Sequence, residues 1–372
     1  MAKRTYIGIS GKARKVKKGY IGVSGKARKI KKAYIGIGGK ARPFWAGGTL
    51  VYYGTATALG AKRHNLAAAS VGNYALFGSG VSTYDAYTMV DAYNASLTRS
   101  APTGLSWGDN YTFAATSKSH AVFASGAGRK VDAYNASLTK TTATTLSTNR
   151  YGIAATAVGN YALFGGGFTS SQSGSRGVAV VEAYNASLTQ SIPTALSVGR
   201  GSLAATTVGN YALFGGGFTD SYYTTTRSAV VDTYNTSLTR STATELSVAR
   251  DELAAASAGN YALFAGGYDS KLSTKVDAYN TSLTRSTPTE LSVGRKGLAA
   301  TSLGDYALFG GGDGTYSEVD AYDASLTRST PTALSVGRGH LAATAVGDYA
   351  LFGGGSNGTG AFLAVVDAYT LV

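Results

Sequence analysis

Residues 200–240 read RGSLAATTVGNYALFGGGFTDSYYTTTRSAVVDTYNTSLTR, and three anchors stand in that stretch. They are Arg-x-x-Leu-Ala-Ala from Arg200, Asn-Tyr-Ala-Leu-Phe-Gly-Gly around Tyr211, and Val-Asp-x-Tyr-Asn-x-Ser-Leu-Thr around Tyr234. The same anchors return in the same order on both sides. The first recurs at Arg63, Arg150, Arg250, Arg295 and Arg338, with Asn110 in place of the Arg in the second copy. The second recurs at Tyr74, Tyr161, Tyr261, Tyr306 and Tyr349, with His120 in the second copy, and the third at Tyr93, Tyr134, Tyr184, Tyr279, Tyr322 and Tyr369. Copies of the third anchor lie 41 to 50 residues apart, the span of one four-stranded propeller blade. Seven copies predict an all-β fold, a seven-bladed β-propeller over residues 48–372.

The order of the anchors assigns the strands. Leu-Ala-Ala-Thr is the inner strand, where only small residues fit near the axis. Tyr-Ala-Leu-Phe-Gly-Gly is the second strand, Val-Val-Asp-Ala-Tyr the third and Ser-Leu-Thr-Arg-Ser the outer fourth. The last copy reaches Val372 just after its third strand. Residues 49–63 (TLVYYGTATALGAKR) align with 324–338 (ASLTRSTPTALSVGR), so an unused fourth strand lies at the N-terminal edge of the body. Its pairing with the last blade closes the ring and leaves no open sheet edge there.

Composition agrees with strand and turn. Gly numbers 50 and Tyr 26 against five Pro and two Met; aromatic side chains suit pleated surfaces and Gly suits tight turns. With no Cys, disulfides and thiolate metal sites are excluded. No apolar run approaches the roughly 18 residues of a membrane span, and no signal-peptide core follows the basic start. Charge is concentrated: residues 1–45 hold 14 of the 34 Lys and Arg and no Asp or Glu, so the rest balances 20 basic against 20 acidic residues.

That basic segment, residues 1–47, is a second repeat. Tyr6, Tyr20 and Tyr34 open three units of period 14, each Tyr-Ile-Gly-Ile/Val, then Ser-Gly or Gly-Gly, then Lys-Ala-Arg. Each unit reads as a β-hairpin. Basic residues fall on both faces of the first return strand, Lys12 and Arg14 on one and Lys15 on the other, with Val16 the one apolar contact, and Lys26 and Arg28, and Lys40 and Arg42, repeat the first pair, leaving too little apolar surface for a free-standing domain. The segment is expected to order against something else. Docking on a protein assembly is the first reading, binding of nucleic acid or an anionic wall polymer the second, and a solubilising arm the third.

Two resemblances follow from these motifs. The tandem Tyr-Ile-Gly…Gly-Lys-Ala-Arg units resemble N-terminal segments of structural proteins of Gram-positive phages and prophages. Residues 48–372 resemble Kelch repeats in the Gly doublet ending strand two, the Tyr of strand three and the Gly-Arg corner before the next inner strand. The Kelch outer-strand Trp is replaced by Leu97, Leu138, Leu188, Leu238, Leu283 and Leu326. The resemblances imply a virion protein assembled in the bacterial cytoplasm, its tail held by other virion proteins in a multimeric particle, its propeller displayed for a host-surface glycan or protein. A purely structural decoration protein is the alternative.

No motif predicts an enzyme or a cofactor. Asp91, Asp132, Glu182, Asp232, Asp277, Asp320 and Asp367 recur in every blade, and a catalytic constellation is asymmetric, so these acids are expected to form repeated blade-to-blade bonds, with the repeated Arg as partner class. The Asn-x-Ser sequences at Asn94, Asn135, Asn185, Asn235 and Asn280 are expected to cap turns. A Kelch-type copper oxidase needs a Cys-modified Tyr; sialidase-type propellers carry Ser-x-Asp-x-Gly-x-Thr-Trp turns, absent here. The Gly-Gly-Gly runs lead into loops and so lack the helix a phosphate cradle needs.

The copies disagree in two places. One is the dipeptide before each inner strand, from His64-Asn65 and Tyr111-Thr112 to Gly339-His340; the other is the loop between strands two and three, longest in the third and fourth blades. Propeller geometry puts both on one face. That face is expected to bind through Phe168, Arg176, Phe218, Asp220, Tyr222, Tyr223, Arg227, Tyr268 and Tyr316, since Tyr among Ser, Thr, Gly and Asn makes adaptable, sugar-stacking surfaces.

Overall fold

The computed structural model describes residues 48–83, 85–170, 175–219 and 226–372, and, within the first 47, the backbone of strand segments alone. Seven four-stranded antiparallel sheets form the blades of a propeller. Their inner strands are Ala67–Val71, Thr112–Thr116, Ala154–Val158, Ala204–Val208, Ala254–Ala258, Ala299–Leu303 and Ala342–Val346, defining blades 1 to 7. Among the described residues there is no helix long and apolar enough to cross a membrane.

Closure is as expected. In blade 7 the fourth strand is Leu50–Ala56, antiparallel to Val366–Leu371, and Thr49 and Val372 exchange main-chain hydrogen bonds at 2.9 and 3.1 Å. One detail departs from the sequence alignment. That alignment matches Tyr53 to Arg328, but a bulge between Ala368 and Tyr369 sets Tyr52 opposite Tyr369. Gly54, at φ +121, absorbs the extra residue, and Tyr53 is turned out, 55% exposed. The outer strands also begin later than expected, at Arg99, Arg240, Arg285 and Arg328. The preceding Leu belongs to the turn: Leu97, Leu138, Leu188, Leu238, Leu283 and Leu326 all lie within a degree of φ +60. Each still packs against the joint between two blades.

The apolar core is divided into seven clusters, each shared by two neighbouring blades. Between blades 3 and 4, for example, Leu163, Val181 and Ala183 meet Leu203, Ala212, Phe214 and Tyr234. The Gly that ends strand two is needed there: a Cβ on Gly165 would stand 2.7 Å from the Phe214 ring.

Polar staples cross the same joints. Arg63, Arg200, Arg250, Arg295 and Arg338, all with no exposure, reach Asp91, Asp232, Asp277, Asp320 and Asp367 at 2.5 to 2.9 Å, and Arg150 pairs with Glu182. The strand-three tyrosine of each blade donates its hydroxyl to a Thr carbonyl in the segment arriving from the blade before, as Tyr234 does to Thr194 at 2.7 Å. The repeated acids and arginines are therefore structural, as the recurrence of the acid in all seven blades and of the Arg in six implied. Asn94, Asn135, Asn185, Asn235 and Asn280 each accept two main-chain N–H groups, two and four residues on, and cap the turns.

In the N-terminal segment three antiparallel strand pairs are present: Tyr6–Ile9 with Lys12–Lys15, Tyr20–Val23 with Lys26–Lys29, and Lys32–Ile37 with Lys40–Ala46. These pairs are the expected repeat units. The side chains of Tyr6, Lys12, Arg14, Tyr20, Lys26, Arg28, Tyr34, Lys40 and Arg42 lie outside the described residues.

Candidate binding face

The two variable sets do emerge together. The first residue of the dipeptide pairs with the start of the strand-two to strand-three loop of its own blade: His64 with Val81, Tyr151 with Phe168, Gly201 with Phe218, Asp251 with Tyr268 and Gly339 with Ser356. At the axis on this face lies a cavity of about 560 Å³ to which every blade contributes, a size within the usual range for small-molecule sites.

The cavity wall is lopsided. Blades 2 to 4 supply Tyr111, Phe113, Tyr151, Phe168 and Phe218. Tyr111 and Tyr151 meet edge to face at 4.7 Å, and Phe168 lies on Phe218 at 4.4 Å. The remaining blades supply Glu252, His340 and Asn65 together with Leu253, Gly297 and Leu298. Beside this half, His64 stacks on Phe362 at 4.5 Å. Burial, and secondarily the nearby His340, push the His64 imidazole below its usual range, and its Nδ1 has no hydrogen-bond partner. An aromatic wall opposite polar groups suits a ligand with one apolar and one hydroxylated side, as a pyranose has.

The second residue of the dipeptide has a backbone role. Asn65, Gly152, Ser202, Glu252, Gly297 and His340 all have φ between +50 and +66. In that conformation they form a chain of main-chain hydrogen bonds around the mouth. Ser202 N–H donates to Gly152 C=O, Glu252 to Ser202, Gly297 to Glu252, His340 to Gly297 and Asn65 to His340, at 2.9 to 3.2 Å. The chain runs from blade 3 through blade 7 to blade 1 and stops. In blade 2 the inner strand starts two positions earlier relative to the dipeptide, at Thr112 itself, which pairs with Ser125, while Tyr111 C=O accepts from Gly126 N–H. Thr112 Oγ1 is held by Asp109 and Trp107. Blade 2 is thereby withdrawn from the ring.

Of the residues expected to bind, Phe168 and Phe218 line this mouth. Arg227 and Tyr268 lie outside the lining in a charged cluster: Arg227 pairs with Asp251 at 2.8 Å and stands 4.6 Å from the Tyr268 ring centre, with Lys296 at 5.4 Å. Arg176 is exposed, and Tyr316 is half-buried, its carbonyl bonded to Arg338 N–H. Asp220, Tyr222 and Tyr223 lie outside the described residues. The loops thus supply four of the mouth residues, Phe168, Ser170, Ser175 and Phe218. The dipeptides supply most of the others, and Phe113, which replaces the usual Leu, was not anticipated. Among the described residues no three His, Cys, Asp or Glu gather as a metal cluster.

No family model matches the chain, and no curated protein is found similar to it. Among solved structures, that of YjhT shares the fold: it is 11% identical, with a TM-score of 0.57, over 85% of this chain and 99% of that one. At this identity the likeness is one of fold.

Proposed function

We propose that this chain is a displayed binding module without catalysis of its own. In this reading a Kelch-like propeller takes a host-surface glycan in its axial mouth, and the basic repeats of residues 1–47 hold it on a phage or prophage particle. The observation that carries the reading is where symmetry fails. The Arg–Asp staples, the Tyr–Thr bonds and the capped turns repeat from blade to blade and are used up in holding the ring. Among the described residues the mouth combines unlike side chains, with aromatic rings massed on three adjacent blades and Glu252, His340 and Asn65 set beside leucines on the others. Repeated residues build a scaffold; side chains that differ at one concave spot are free to recognise. The positive charge of residues 1–45 and their three strand pairs support attachment to a larger assembly.

The test is a glycan array of bacterial surface polysaccharides probed with the whole protein and with Phe218→Ala. Loss of an aromatic anchor is expected to weaken binding by about 1–3 kcal/mol. If nothing on the array is retained, or retention ignores Phe218, the propeller is a structural spacer.

A further inference from the structure

We infer that the mouth holds a seat for a secondary amide at blade 2, and that the ligand it takes is a 2-acetamido sugar. This rests on the reading of the mouth as a glycan site. The argument begins with the incomplete ring of main-chain hydrogen bonds. Each link is one blade's N–H donating to the C=O of the blade before it, and five links join six blades. At the two ends of the chain stand the N–H of Gly152 and the C=O of Asn65. Neither has a hydrogen-bond partner among the described residues, and both residues are half-buried and line the cavity.

Unpaired main-chain groups at half-buried positions in a concave site favour a ligand that satisfies them. The polarity of the ring dictates what that ligand must offer: a donor toward Asn65 and an acceptor toward Gly152, facing opposite ways. A trans secondary amide has this arrangement, its N–H and C=O pointing in opposite directions. A hydroxyl carries its donor and its lone pairs on a single oxygen, whereas the amide presents donor and acceptor on opposite sides, as the two ring ends require.

The surroundings favour an acetamido sugar over a peptide. Tyr111 and Tyr151, which flank the gap in edge-to-face contact, give a ring edge and face for the acetyl methyl and the apolar side of a pyranose. Across the mouth, Glu252, Ser202 and His340 offer acceptors and donors for ring hydroxyls. The site is a bowl on the axis and not an extended groove, and so suits a compact end group.

The experiment uses the intact protein and two disaccharides of the same linkage: chitobiose, which carries acetamido groups, and cellobiose, which carries hydroxyls in their place. Binding is read by calorimetry, and the amide resonance of Gly152 is followed in a nitrogen-labelled sample. Chitobiose is expected to bind at least tenfold tighter than cellobiose and to shift the Gly152 resonance. A variant that rebuilds the mouth of blade 2 on the pattern of blade 4 (Asn110→Arg, Tyr111→Gly, Thr112→Ser, Phe113→Leu) is expected to complete the ring with its own main chain and lose chitobiose binding.

Equal affinity for the two sugars, or chitobiose binding that leaves Gly152 unmoved, overturns the amide seat whether or not the rebuilt variant folds. An N-acetylated amino-acid amide binding more tightly than chitobiose overturns the sugar assignment. If neither disaccharide binds while another glycan is held in a Phe218-dependent way, the amide seat fails and the mouth as a glycan site stands.

Discussion

The Tyr52 hydroxyl donates to Asp367 Oδ1 at 2.7 Å. Tyr52 stands opposite Tyr369 in the register where Arg99, Lys140, Gln190, Arg240, Arg285 and Arg328 stand opposite the strand-three tyrosines of the other blades. Those residues also reach the acid of their own blade, Arg99 at 2.5 Å and Arg240 at 3.0 Å. The N-terminal strand therefore copies the polar contact of an outer strand, with a neutral donor, as Gln190 is in blade 3, where the other five blades have a cation.

Ring closure should depend on this strand and not on the residues before it. Removing residues 1–47 should leave the melting temperature nearly unchanged, whereas removing 1–58 should lower it sharply, because the outer edge of blade 7 is then stripped. Tyr52→Phe should cost about 0.5–1.5 kcal/mol, the net worth of one hydrogen bond, since Arg338 still pairs with Asp367. Calorimetric scans of the three proteins decide; equal melting of both truncations refutes the seam.

Alkaline pH should open the molecule. Burial, with the bond to Asp367, pushes the Tyr52 hydroxyl up to about 12, and burial raises the strand-three tyrosines further, reinforced by the acid of each blade. A raised value means that the folded state favours the protonated phenol. The stabilisation is whole below the ordinary tyrosine value of about 10 and is lost as pH rises through the folded value. Urea midpoints should fall steadily above pH of about 10, with tyrosinate absorbance appearing together with unfolding. Complete ionisation of all tyrosines in the folded protein would contradict this.

The staples should not be equal. Arg250→Met removes a fully buried cation that also holds the Gly266 and Phe264 carbonyls, and should cost about 3–5 kcal/mol even though Asp277 keeps Arg285 and the Ser247 donors. Lys140→Met in blade 2 should cost less, because Lys140 is partly exposed and Asp132 keeps the Ser106 and Thr142 donors. Urea denaturation of the two variants gives the comparison; a larger loss for Lys140→Met would show that burial is not what sets the cost.

The N-terminal segment should bind DNA only through charge. Affinity of the whole protein should fall steeply as salt rises and be indifferent to base sequence, and removal of residues 1–47 should abolish it. A salt-resistant, sequence-selective complex would instead make nucleic acid the segment's proper partner.

Blade number, strand order and the closing strand were legible because each rests on residues that recur: Arg200, Tyr211 and Tyr234 have counterparts around the ring, and repetition exposes what packing demands. The exact seam was not, since a bulge at Tyr53 leaves no mark in an ungapped alignment. Nor was the left-handed leucine of each turn, because Leu238 reads as a strand residue and takes its conformation only when Asn235 has capped the turn beneath it. The mouth was half legible. Divergent dipeptides located it, but Ser202, Glu252 and His340 give no hint of the positive φ that Gly152 or Asn65 suggests, so the backbone ring and its gap at blade 2 are properties of the assembled propeller alone.

Because the ring is sealed by the strand that follows the basic segment, any tension arriving along that segment enters the propeller at Gly48, directly on the seam. A pull in line with Leu50–Ala56 loads all its rungs to Val366–Leu371 side by side, as a lap joint carries shear, so that they must give way together and not one after another. The stitch that completes the circle is therefore also the point where a tethered propeller would bear mechanical load.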